Sequence, residues 1–329
     1  MRKLLLALLL LLLGGNAFSQ DAPMDYGELF PADTLTDEEV ELYMDAFDWE
    51  EEEAVEPWAQ ALPSWLLTLF FVLLAVLPAL VLVYYIYKRD RLHPEPPRQL
   101  VKAFLWGVVS APIAIVFALL IETVFSVVPL PSGRFWTPLS GAFLGAAIPE
   151  ECAKLLVLWL FLRKRKDFDE HMDGIVYAVC VGMGFAAFEN ILYVTDFVGQ
   201  IDFVGLSGVM GMGLSRAFLS VPGHFGFAVL MGYFYSLAHF QGQEYRETYM
   251  HLALLLPILA HGLFDFLLML DTQGSAWHML LMLAFFGVFF YLQQLGSRSI
   301  AMALRSDTAQ NIPESGEEPG KDLTEHGEG

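Results

Sequence analysis

The chain has 329 residues, of which 56% are hydrophobic and 17% charged, and its mean hydropathy is +0.50. A water-soluble domain of this length cannot bury so much apolar surface, so the composition predicts a protein with several membrane-spanning segments. Both cysteines lie in apolar runs. A disulfide framework and a cysteine-rich zinc module are therefore excluded.

The net charge of −20 comes from the two ends of the chain. Residues 21–56 contain 15 acidic and no basic residues, and residues 306–329 contain seven acidic residues and one lysine. Between these tails acids and bases are nearly balanced. Because no basic face is available to neutralise phosphates, we expect no nucleic-acid partner.

The N-terminus has the three parts of a secretory signal peptide: two basic residues, an apolar run over 4–13, and small residues up to Ser19. We predict a signal peptide over 1–19 that is cleaved after Ser19. The alternative is an uncleaved anchor, but the run is shorter than the roughly 20 residues that span a bilayer. Residues 20–62 would then be an acidic, largely disordered arm outside the cytoplasm.

The rest of the chain predicts an all-α, polytopic transmembrane helix bundle over residues 63–297, followed by an acidic, disordered cytoplasmic tail over 298–329. Its apolar segments have the length of membrane spans. Seven are predicted, over residues 64–87, 101–128, 137–162, 173–198, 213–240, 249–270 and 277–296.

Basic residues are concentrated in alternate loops, chiefly 88–102 and 163–166, and they follow the last span. Because lysine and arginine mark the cytoplasmic side of membrane proteins, we predict an extracytoplasmic N-terminal arm and a cytoplasmic C-terminal tail. The expected location is the inner (cytoplasmic) membrane, where the bilayer and membrane-embedded proteins are the partners.

Four neighbouring spans carry ionisable residues near mid-membrane, where each charge costs about 2.5–3.5 kcal/mol on insertion scales. At about 1.5 Å per residue, they lie about 18–24 Å from the predicted cytoplasmic helix ends. This common depth predicts a shared polar cavity. The residues are Glu150 and Glu151 in the third span, Glu189 in the fourth, His224 in the fifth and His261 in the sixth.

Partners at four-residue spacing accompany three of these groups, and such residues share a helix face. They are Lys154 after Glu150, Tyr193 after Glu189, and Asp265 after His261. We assign them supporting roles in tuning charge or orienting a neighbour. By contrast, Arg216 is interpreted as a snorkelling anchor at the membrane interface, and Glu122 as an isolated structural residue.

Carboxylates and imidazoles together favour hydrolytic chemistry. They could hold a Zn²⁺ that activates water, or a glutamate could activate water directly while another group binds the oxyanion. Neither a serine nucleophile elbow nor a His-Glu-x-x-His helix occurs in the sequence. The zinc route and the glutamate route both end in hydrolysis of an amide or ester.

With these residues in view, the sequence resembles the PrsW family of polytopic intramembrane proteases, relatives of the CAAX prenyl protease and bacteriocin-immunity superfamily. The resemblance covers roughly residues 85–270. It rests on Pro149-Glu150-Glu151 with Lys154, on Asp173-Gly174 through Phe188-Glu189-Asn190-Ile191-Leu192-Tyr193, on Arg216 with His224, and on His261-Gly262 with Asp265.

The resemblance implies peptide-bond hydrolysis in or near the bilayer, with Glu150, Glu151 and His224 as essential residues. It also implies a start to regulated proteolysis, since one member makes the first cut in a membrane-bound anti-sigma factor. Whether such enzymes use a metal or a glutamate-activated water is left open. Many relatives would have asparagine where this chain has Asp265, so an oxyanion-binding role there is in doubt.

We therefore predict an intramembrane endopeptidase in which Glu150 is the general base and Glu151 a second acid or the charge partner of Glu150. Glu189, His224 and His261 are the expected ligands of a metal, Zn²⁺ being the candidate, or of the oxyanion. Two alternatives stay open at this point. One is a proton- or cation-coupled transporter, because buried acids and histidines also form proton relays; the other is a scaffold without catalytic activity.

Overall fold

The computed structural model describes residues 64–90, 93–127, 130–166, 168–270 and 276–310. The expected signal peptide 1–19 and acidic arm 20–62 lie outside them. Within the described ranges all regular structure is helical, in agreement with the predicted all-α fold class. The α-helices are α1 Ser64–Arg89, α2 Pro97–Val127, α3 Trp136–Ser140, α4 Ile148–Leu162, α5 His171–Gly199, α6 Ile201–Ser215, α7 Val221–Phe240, α8 Gln243–Met269 and α9 Ala276–Gln310.

Two π-helical segments interrupt the apolar runs. Gly141–Ala147 joins α3 to α4, and Arg216–Ser220 joins α6 to α7. In both cases a proline, Pro149 or Pro222, follows in the first turn of the next α-helix. Proline lacks an N–H for the helical ladder, and a wider turn accommodates the interruption. Gln293 of α9 donates a hydrogen bond of 2.7 Å to the Pro222 carbonyl, so α9 contacts the backbone beside this interruption.

Five helical stretches among the described residues are long and apolar enough to cross a membrane: Thr68–Arg89, Pro97–Val127, His171–Gly199, Gly208–Phe240 and Gln243–Met269. The other two expected spans differ from the prediction. The third contains the 15-residue α4 after the π-helical segment Gly141–Ala147, and its Glu150, Glu151 and Lys154 make it more highly charged than the fifth, which also includes a π-helical segment. The seventh lies within α9, which has 35 residues and is much longer than the expected 277–296.

Helix α5 is the centre of the bundle and packs against α1, α2 and α7. Its residues from His171 to Ala187 are all buried. Glycine allows the backbones to approach closely, because a Cβ at Gly184 would lie 2.0 Å from the Phe104 carbonyl oxygen of α2. Small residues therefore bring α5 against its neighbours at the depth where the polar groups lie.

The outer surface of the bundle is apolar. On α1, Phe70, Leu73 and Leu77 are each more than half exposed. Residues of this kind on a helix too apolar for water are expected to face lipid. Glu122, the isolated acid of α2, is also exposed and lies apart from the buried polar groups.

The C-terminal region differs from the predicted disordered tail over 298–329. Helix α9 continues to Gln310, and Asp307 is fully buried. Its carboxylate accepts hydrogen bonds from the backbone amides of His171 and Met172 at 2.8 and 2.9 Å. Asp307 thus satisfies free N–H groups at the start of α5, and this long-range contact extends the helix beyond its apolar part.

Candidate active site

The paired glutamates lie in the first turn of α4, immediately after the π-helical segment and Pro149. Successive helical residues point about 100° apart, so the two carboxylates have different surroundings. The Glu151 side chain is completely buried, whereas 14% of the Glu150 side chain is exposed. Glu150 is therefore the member of the pair that an incoming molecule could reach.

Lys154 lies between the two carboxylates. Its Nζ donates to Glu150 Oε2 at 3.1 Å and to Glu151 Oε1 at 2.8 Å. The ammonium also lies 4.0 Å from the ring centroid of Phe185. A buried acid pair needs compensating charge, and Lys154 provides it from the same helix.

His261 brings α8 to the acid pair. Its Nδ1 lies 2.9 Å from Glu151 Oε1, and its Nε2 lies 3.1 Å from Asp265 Oδ2 and 3.9 Å from Glu150 Oε2. The adjacent Gly262 leaves space for the Phe143 ring of the π-helical segment, since a Cβ there would lie 2.4 Å from that ring. The segment and α8 can therefore pack closely beside the site.

Arg216 is not the interface anchor that its sequence position suggested. Its Nη2 lies 2.9 Å from Glu189 Oε2, and its Nε donates to Asn190 Oδ1 at 2.6 Å. The guanidinium lies 3.9 Å from the ring centroid of Tyr193. Tyr193 thus stacks against Arg216, and only 12% of the arginine side chain is exposed.

His224 connects the two halves of the polar cluster. Its Nε2 lies 2.9 Å from Glu189 Oε2, and its Nδ1 lies 3.3 Å from Lys154 Nζ. Lysine can only donate, so Nδ1 is the acceptor and the proton belongs on Nε2, which donates to Glu189. The arrangement orients the imidazole between a carboxylate and an ammonium.

The structure brings all the predicted site residues into one continuous set of contacts, which we call the polar cluster. It spans α4, α5, α7, α8 and the π-helical segment before α7. The contacts of Arg216 and Asn190 within this cluster were not predicted from the sequence. An arginine inside an apolar span is the feature of the sequence that indicates such a contact. The members are Glu150, Glu151, Lys154, Glu189, Asn190, Tyr193, Arg216, His224, His261 and Asp265.

The donors that could hold a metal differ from the predicted set. Glu150, Glu151, His224 and His261 each offer one atom, and these atoms lie within 4.8 Å of one another. Glu189 lies beside His224 instead, where a carboxylate can orient an imidazole ligand. Glu151 Oε2 is buried and has no hydrogen-bond partner. Two carboxylates and two imidazoles fit Zn²⁺ in kind. If three of the four held the ion and water took the fourth position, the bound Zn²⁺ would supply a water of lowered pKa.

The fold and the polar cluster define a multi-pass helical membrane protein with a buried site of acids and histidines. Residues 95–292 match the family model described as PrsW family intramembrane metalloprotease. This chain therefore belongs to the PrsW family, and it is a peptidase. The match does not favour the transporter alternative.

Curated relatives named Protease PrsW agree with this assignment. The protein from Clostridioides difficile (strain 630) is 35% identical over 214 residues, which cover 65% of this chain and 84% of the relative. The protein from Bacillus subtilis (strain 168) is 32% identical over 230 residues, which cover 69% of this chain and 95% of the relative. No solved structure matches the chain.

Proposed function

We propose that this protein is an endopeptidase that cleaves a membrane-bound protein within or near the bilayer, with Glu150 as the general base. The observation that carries the proposal is the partial exposure of Glu150 beside the fully buried Glu151. A base must reach the water it deprotonates, and only one of the two carboxylates has an exposed portion.

Glu151 and Lys154 would maintain the charge state of the site. Their contact of 2.8 Å holds the ammonium next to both acids. In this proposal Lys154 keeps Glu150 ionised and able to accept a proton from water. Glu151 fixes the position of Lys154 and of His261, and is not itself in contact with the substrate.

The two histidines would act on the carbonyl oxygen of the scissile bond. His224 is oriented by Glu189, and His261 by Glu151 and Asp265. Because the His224 N–H donates to Glu189 and both His261 nitrogens contact carboxylates, either imidazole would exchange a carboxylate for the substrate oxygen in order to stabilise its developing negative charge. If a metal is present, the two histidines and Glu151 would hold it, and Glu150 would stay free to act as the base.

The substrate class follows from where the polar cluster lies. A site surrounded by apolar helices accepts a peptide that is itself in the membrane, and a single-span protein is the simplest such substrate. We propose that the cut starts regulated proteolysis of a protein of the anti-sigma-factor kind. The proposed location is the inner membrane, with the arm 20–62 outside the cytoplasm and the C-terminus inside.

Comparative proteomics of membrane fractions tests the proposal. Cells would carry the wild-type protein, Glu150→Gln, or the matched control Glu122→Gln, which makes the same change at an exposed site away from the polar cluster. We expect an intact membrane protein to accumulate only with Glu150→Gln. Equal abundance of the three variants in the membrane is checked by immunoblot.

The purified proteins give a direct measurement. Once an accumulating protein is found, it is incubated in proteoliposomes with each variant, and products are identified by mass spectrometry. Loss of a general base should lower the rate by about 10²- to 10⁴-fold. Cleavage by Glu150→Gln at the wild-type rate would contradict the assignment of the base.

A further inference from the structure

A second group of acids lies outside the polar cluster, at the start of α5. One oxygen from each of Asp90, Glu170 and Asp173 lies within 4.8 Å of the others, and all three residues are buried. Asp90 directly follows α1, Glu170 precedes α5, and Asp173 is in the first turn of α5. The group shares no residue with the candidate active site.

Local hydrogen bonding accounts for only one oxygen of each aspartate. Asp173 Oδ2 accepts from the backbone amides of Asp169 and Glu170, in the manner of a capping box. Asp90 Oδ2 accepts from the Glu95 amide at 3.1 Å. These bonds explain why acids occur here, but they leave Oδ1 of both aspartates to be explained.

The remaining oxygens, Asp90 Oδ1 and Asp173 Oδ1, are buried and have no hydrogen-bond partner. The two residues are only 3% and 1% exposed. A buried polar atom without a partner costs about 1–3 kcal/mol, and more if it is charged. Glu170 already contacts His93 Nδ1, so the two aspartate oxygens are the atoms of this group that still need a partner, either a cation or a water.

Electrostatics at Asp90 agree with this interpretation. Burial raises the pKa of Asp90 to about 6, with nearby Glu170 adding to the rise and the Glu95 amide opposing it. Buried charges in proteins are paired or coordinate metals.

We propose that Asp90, Glu170 and Asp173 form a binding site for a divalent cation that prefers oxygen ligands, of the Mg²⁺, Mn²⁺ or Ca²⁺ class. Carboxylate-only donors suit these hard cations, whereas imidazole or thiolate donors suit zinc and copper. The bound ion would join Asp90, the residue after α1, to the first turn of α5, the central helix. The site would therefore stabilise the bundle at the end that we propose faces the cytoplasm.

Binding of Mn²⁺ to the full-length protein in detergent micelles is the test, measured by equilibrium dialysis and by electron paramagnetic resonance. The variants are Asp90→Asn and Asp173→Asn. The matched control is Asp169→Asn, which makes the same change at an exposed side chain next to the group. A fourth variant, His261→Gln, reports on any Mn²⁺ bound in the polar cluster.

We expect the control to bind Mn²⁺ as the wild type does, and Asp90→Asn and Asp173→Asn to bind it at least about tenfold more weakly. His261→Gln should keep the binding that depends on Asp90. Mg²⁺ or Ca²⁺ should displace the ion. If Asp173→Asn does not fold, Asp90→Asn decides alone, because Asp90 lies outside the helices. Equal Mn²⁺ binding by Asp90→Asn and the control, or no binding by the wild type, would overturn the proposal.

A stability measurement separates this site from the proteolytic one. Mn²⁺ should raise the unfolding temperature of the wild type and of His261→Gln, but not that of Asp90→Asn. A rise that depends on His261 and not on Asp90 would assign the ion to the polar cluster and refute the second site. Neither outcome depends on peptidase activity.

Discussion

Replacing Lys154 with methionine tests whether the lysine compensates the acid pair. The change removes the ammonium and keeps most of the apolar stem, while Glu151 stays fully buried. Removal of one partner from a buried ion pair costs about 3–5 kcal/mol, because an uncompensated charge is left behind. We expect Lys154→Met to lower the free energy of unfolding by that amount.

The double variant Lys154→Met/Glu151→Gln supplies the decisive comparison. Removing the stranded charge should restore part of the lost stability, so the double variant should be more stable than Lys154→Met alone. Two residues 2.8 Å apart are expected to couple by about 0.5–3 kcal/mol in such a cycle. Additive losses would mean that the contact carries no energy.

Denaturant unfolding of the purified proteins in detergent micelles provides the measurement. Lys102→Met, at an exposed position of α2, is the matched control and should change stability by no more than about 0.5 kcal/mol. A loss below about 1 kcal/mol for Lys154→Met would refute the view that this lysine compensates buried acids.

Three further variants test other parts of the structure. Gly184→Ala should cost about 1–3 kcal/mol, because its Cβ would meet the Phe104 carbonyl, whereas Gly211→Ala has open space and should unfold as the wild type does. Arg216→Lys should lower peptidase activity by at least about tenfold while the protein is fully expressed. The planar guanidinium contacts Glu189, Asn190 and Tyr193 together, and an ammonium cannot reproduce these contacts. Wild-type activity of Arg216→Lys would contradict a positioning role. Asp307→Ala should lower the unfolding midpoint and the free energy of unfolding, the latter by about 0.5–2 kcal/mol, because the backbone amides at the start of α5 lose their acceptor. An unchanged midpoint would mean that this contact is dispensable.

The sequence alone determined the helical class and two of the three expected contacts within single helices; Tyr193, the third supporting residue, contacts Arg216 instead of Glu189. Long apolar runs predict helices because a bilayer offers no partners for free backbone groups. Four-residue spacing predicts neighbours on one helix face, and Glu150 with Lys154 and His261 with Asp265 are both observed at 3.1 Å. Motifs in a fixed order were also enough to identify the family.

Tertiary structure decided which residues meet across helices. Arg216 contacts Glu189, and Asp307 contacts the start of α5, although each pair is far apart in sequence. The common depth of the acids and histidines predicted that they would meet, but packing decided which of them lie within reach of one another: Glu150 and Glu151 group with the two histidines, and Glu189 does not join that group. Helical periodicity determines which residues are neighbours on the surface of one helix. The orientation of one helix relative to the next is set by packing, which depends on residues throughout the bundle.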